Sequence, residues 1–140
     1  MQQPAILRDD NASVEALRIV EKYEAFRDYM IKILENCPRK HRVIRDEALR
    51  DLLAPVRGLH DASKSRQVSK LHAVDAQFAT LRSHLRLFVR SEISLISPSQ
   101  HTTALALLAQ PGAMLNAWQK RLTSELAAAK AAARGQAGQR

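Results

Sequence analysis

LHAVDAQFATLRSHLRLF, residues 71–88, decides the fold. Its large apolar residues stand at Leu71, Val74, Phe78, Leu81, Leu85 and Phe88, alternately three and four apart. That spacing returns each to one side of an α-helix and is incompatible with the two-residue period of a strand. A single apolar stripe on a helix this long must be covered by other helices. The rest of the chain has the composition to supply them, with four glycines, six aromatics and an abundance of Ala, Leu, Arg, Lys, Glu and Gln. No Asn-Gly or Asp-Gly pair separates alternating apolar runs, so hairpins are not expected.

Working outward, this stripe belongs to a third helix over about Arg66 to Ile93. Before it, Ser13 can cap a first helix that Pro38 ends, with Leu17, Val20, Tyr23, Phe26, Met30, Ile31, Ile33 and Leu34 on a broad apolar arc. Glu24 and Arg27 intrude on that arc at i,i+3 spacing and are expected to pair, the alternative being that Arg27 meets an acid on another helix or subunit. A second helix is expected over Arg39 to Leu59, with Ile44, Ala48, Leu49, Leu52, Leu53 and Val56 inward and a bend or early end at Pro55. His60 to Ser65 then reads as a loop. Ser97-Pro98-Ser99 opens a fourth helix through Leu105, Leu108, Leu115, Trp118, Leu122 and Leu126, interrupted at Pro111-Gly112. The expectation is an all-α, up-down-up-down four-helix bundle over residues 13–134, with a mobile N-terminal extension (1–12) and a flexible tail (135–140).

The 140 residues suit one domain, with 22 basic against 14 acidic side chains and a formal charge of +8. Residues 39–90 carry 12 basic and 5 acidic residues, nearly the whole excess. Such a localised charge attracts polyanions; solubility alone is the plain alternative. Two rows stand out. Arg39, Arg50 and Arg57 project within about 20° of one another on the outer side of the second helix, and Arg82, Arg86 and Arg90 repeat every four residues beside the third helix's apolar face.

Catalytic and metal chemistry finds little footing. Cys37 is the sole cysteine, so neither an intrachain disulfide nor a multi-cysteine zinc site can form. None of the five histidines has a carboxylate three residues before it, which excludes the di-iron bundle pattern. There is no glycine-rich phosphate loop, and no cofactor is expected. With no signal-peptide core and no run approaching 18 apolar residues, a cytoplasmic location is expected.

PRKHRVIRDEALRDLL (residues 38–53) and GLHDASKSRQVSKLHAVDAQFATLRSHLRLF (residues 58–88) closely resemble the accessory variability determinant of diversity-generating retroelements. LRIVEKYEAF (17–26) and RGQAGQR (134–140) also look like that family, and KSRQVSKLHAVDA (64–76) is its most specific stretch. The resemblance implies a non-enzymatic four-helix bundle, assembled as a homopentameric ring, that partners a reverse transcriptase and its RNA or DNA during mutagenic copying and retrohoming. It maps the family's paired basic positions onto Arg82 and Arg86, its basic turn onto Arg39 and Lys40, and its motif lysines onto Lys64 and Lys70. With Arg42, Arg50, Arg57, Arg66 and Arg90 these make the expected nucleic-acid or polymerase-binding set. Ser83 and His84 depart from the family's aromatic bulk between the paired arginines, and Pro111-Gly112 replaces ordinary helix formers. The bundle proteins of ribosomal RNA intervening sequences share the architecture; the alternative is a scaffold of that type, binding RNA or an acidic protein.

Overall fold

A computed structural model describes the backbone of residues 3–138 and the side-chain surroundings of residues 14–138. Four α-helices follow in order: α1 (Gln3–Glu35), α2 (Arg42–Ser65), α3 (Val68–Phe88) and α4 (Pro98–Gly138), with a 3-10 turn at Arg39–His41 before α2. Each helix packs on the next and α1 closes the set against α4, while neither diagonal pair approaches closely. The result is the four-helix bundle that the 3–4 spacing demands.

All six apolar residues of the third-helix stripe are buried, facing Ile19, Tyr23, Phe26, Met30 and Leu34 of α1, Leu52 and Leu59 of α2, and Leu108, Leu115 and Trp118 of α4 in one continuous core. Burying one such side chain contributes roughly 1.5–3 kcal/mol, so the stripes outweigh local defects. Some expected core members are not inside: Leu17 is 51% exposed, Leu53 57% and Leu126 46%. Ala16, Ile19, Leu59, Ala62 and Ala104 are buried in addition.

Several helix ends differ from expectation. The α1 backbone is already helical at Gln3, so Ser13 lies within the helix and does not cap it. Met1, Gln2, Gln139 and Arg140, parts of the expected terminal segments, lie outside the described residues. α2 begins at Arg42, not Arg39, because Pro38 is extended (φ −61°, ψ 148°) and the chain needs the 3-10 turn to reverse. His60 to Ser65 is helix, not loop, since Leu59 and Ala62 continue the buried stripe. The connection is only Arg66 and Gln67: Arg66 takes left-handed geometry (φ 53°, ψ 36°) and its N–H bonds the Ala62 carbonyl at 3.0 Å. α3 ends at Phe88, where Leu95 N–H bonds the Phe88 carbonyl at 2.9 Å and folds Ile96 back into the core.

Neither proline breaks its helix. Pro55 and Pro111 are both buried inside unbroken helices. Proline there costs about 3 kcal/mol, but buried leucines on either side of each hold the adjoining turns in place. Pro55 also leaves the Asp51 carbonyl without its helical donor. On the next carbonyl along, Leu52, α2 is tied to α1 by a short hydrogen bond from the buried Tyr23 hydroxyl. The start of α4 is a reciprocal capping box, with Ser97 N–H on Gln100 Oε1 at 2.9 Å and Gln100 N–H on Ser97 Oγ at 3.1 Å.

Candidate nucleic-acid interface

The orientation of α3 follows from His84. Its Nε2 lies 2.6 Å from Asp51 Oδ2 on α2, and its ring stacks on Phe88 at 6.0 Å between centroids. Arg82 and Arg86 stand two residues either side of it, and a step of two turns an α-helix by about 200°. Both guanidinium groups therefore leave α3 on the flank away from α2, Arg82 half-buried at the border with α4 and Arg86 exposed. The His84 ring thus faces α2.

Charge separates this flank from the rest of the surface. α2 carries five basic and four acidic residues, and α1 five and seven. α3 has three and one, α4 four and one, and from Pro98 to Ser124 α4 has no acid at all. Of the positive excess in residues 39–90, the 3-10 turn and α3 each carry more than α2, and α4 adds its own cations beside α3. On α2 local acids answer it: Arg45 meets Asp46 at 3.2 Å and Arg50 meets Glu47 at 3.2 Å.

The expected binding set does not converge on one surface. Arg82 and Arg86 share the α3 flank and, among the described residues, make no ion pair. Arg90, expected to continue their row, lies beyond the end of α3 and pairs with Glu92 at 3.1 Å. Arg50 and Arg57 share the outer side of α2, but Arg39 is in the 3-10 turn and leaves that row. Arg39, Lys40 and Arg42 group at the start of α2, with no ion pair among the described residues. Lys64, Arg66 and Lys70 gather at the α2–α3 connection, where Arg66 meets Glu125 of α4 at 3.4 Å. Lys70 lies about 18–24 Å along α3 from Arg82 and Arg86 at 1.5 Å per residue. Exposed pairs of this kind hold by no more than about 1 kcal/mol, so a polyanion can displace them, but they dilute the field.

Two contacts were beyond the reach of spacing arguments. Arg121 of α4 pairs closely with Glu15 of α1, and His84 bridges to Asp51. Arg27 does meet Glu24, at 3.5 Å, and also Asp28 at 3.1 Å. A cavity of about 10 Å³ beneath His84, lined by Phe26, Met30, Leu52, Leu81 and Leu85 among others, is about the size of one water and too small for a substrate. An open groove of about 1240 Å³ runs between α1 and α4, from Val14 and Arg18 to Trp118, Leu122 and Leu126. No described helix is long and apolar enough to cross a membrane, and no three His, Cys, Asp or Glu side chains among the described residues are grouped to hold a metal.

A basic all-helical bundle with an unneutralised cationic flank, and with no substrate-sized space inside that flank, is the class these features define. A profile of the bAvd-like family matches residues 17–122, from the first half of α1 to the middle of α4, and the chain belongs to that family, the accessory variability determinant group. It is a family of accessory, non-catalytic proteins. No curated protein matches the chain.

Proposed function

We propose that this protein is the accessory subunit of a diversity-generating retroelement, holding template RNA or its DNA copy beside the reverse transcriptase during mutagenic reverse transcription and retrohoming. The observation that carries the proposal is the placement of Arg82 and Arg86 on one flank of α3, without carboxylate partners among the described residues and beside an acid-free stretch of α4. A phosphate backbone laid on that flank displaces its own counterions onto no competing acid. The groups at the start of α2 and at the α2–α3 connection extend the field but stand apart from this pair, so the primary contact is assigned to the α3/α4 face.

Assembly into a homopentamer is part of the proposal. Support comes from the exposed Val14 of α1 and Leu126 of α4, which line the α1–α4 groove. A head-to-tail ring covers such surface by setting one face of a subunit on a different face of the next.

The test is Arg82→Glu with Arg86→Glu in the full chain, titrated against single-stranded RNA at several salt concentrations. The slope of log affinity against log salt should fall by about 1.4, two contacts at roughly 0.7 each. Capture of the purified reverse transcriptase should weaken alongside, with the helical circular dichroism unchanged. RNA and polymerase binding that survive both changes would remove this face from the function.

A further inference from the structure

Beyond Leu122, the last buried residue of α4, the helix continues to Gly138 with every side chain exposed. This arm spans about 24 Å, at 1.5 Å per residue, and lies outside the residues matched to the family. Its sequence explains how it stays helical without a core: seven of the residues from Ala127 to Ala137 are alanine, the strongest helix former. What needs explaining is what so long an exposed helix meets.

Its side chains narrow the choice. After Leu126 no apolar residue is larger than alanine, so the arm offers little area for packing against another protein, where helix pairing relies on large side chains at its seam. After Glu125 every charged residue is basic, and Glu125 itself is engaged by Arg66. Lys130 and Arg134 stand one helical turn apart on one side, about 6 Å along the axis, and Lys120 projects within the same quarter of the wheel. Arg66 ties the α2–α3 connection to Glu125 at the arm's root, and Lys64 and Lys70 are close to Arg66 in sequence.

We infer that the arm of α4 is a second nucleic-acid contact, independent of the α3 flank, which lies in the major groove of duplex DNA. The B-form major groove, about 12 Å wide, admits one helix, and a helix clothed in alanine is slimmer than most. The A-form RNA major groove is too narrow to receive it. Lys130 and Arg134 reach the phosphates of one groove wall, while the lysines at the root meet the backbone where the helix enters.

The test uses the full chain carrying Lys130→Ala and Arg134→Ala, substitutions that preserve or raise helix propensity, beside the Arg82→Glu/Arg86→Glu chain. Each is titrated against a duplex DNA, a duplex RNA of the same sequence and a single-stranded RNA. The arm variant should bind duplex DNA roughly tenfold more weakly at moderate salt, with a salt slope lower by about 1.8, and should keep its single-stranded RNA affinity. An unchanged DNA slope overturns the inference. So do equal losses on all three probes, which mean unspecific attraction, and a change in particle mass, which makes the Lys130 and Arg134 side of the arm an assembly surface. Loss of RNA binding in the Arg82/Arg86 chain alone bears on the α3 face and leaves the arm untouched.

Discussion

Gly58 is a point at which α2 packs closely on α3. A Cβ built there would stand 2.8 Å from Val74 Cγ2, a branched side chain that is itself fully buried. Gly58→Ala should therefore destabilise the bundle by about 1–2 kcal/mol in urea unfolding, despite alanine's roughly 1 kcal/mol advantage in an open helix; a gain in stability would show that α3 yields freely there. Tyr23 is the complementary case, a polar atom in the core with its partner supplied. Burial pushes its hydroxyl pKa well above the ordinary value of about 10, with Asp51 adding to the rise and Arg27 opposing it. The folded state thus favours the protonated phenol, and this contribution is fully present below the unfolded pKa and is lost as pH rises past about 10. Tyr23→Phe should cost about 1 kcal/mol at neutral pH and flatten the alkaline fall in stability, as followed by urea midpoints between neutral and strongly alkaline pH.

The helices themselves are set by their ends and their stripes together. α4 begins where Ser97 and Gln100 exchange hydrogen bonds, so Ser97→Ala should cost about 1 kcal/mol, read as a lower thermal midpoint. The register of α2 against α3 rests on Asp51 beside His84 and Gly58 beside Val74. Rotation of α3 within that register decides which flank its arginines occupy. Because His84 is committed to α2, Arg82 and Arg86 are turned away from it, and the second-helix and third-helix arginine rows look out on different sides. The spacing of each row was legible in the sequence; their mutual direction was not, since no local pattern states which flank of a helix meets which neighbour.

For the whole molecule, charge divides by helix as well as by chain segment. α1 and α2 largely answer their own cations, while α3 and α4 do not. The α1–α4 groove, rimmed by exposed Val14 and Leu126, lies where a neighbouring subunit can cover it. Light scattering on the purified protein should give five times the chain mass, and Val14→Glu with Leu126→Glu should lower it; a wild-type monomer would leave the ring without support. The sequence alone determined four amphipathic helices, a basic excess and the family to which they belong, because helical periodicity and composition are local quantities that survive without coordinates. Tertiary structure alone decided that both prolines lie inside unbroken helices, that α1 starts well before Ser13, and that Arg82 and Arg86 stand apart from the α2 row. Those outcomes depend on burial and on the rotation of one helix against the next, and both arise only when distant stripes close over a common core.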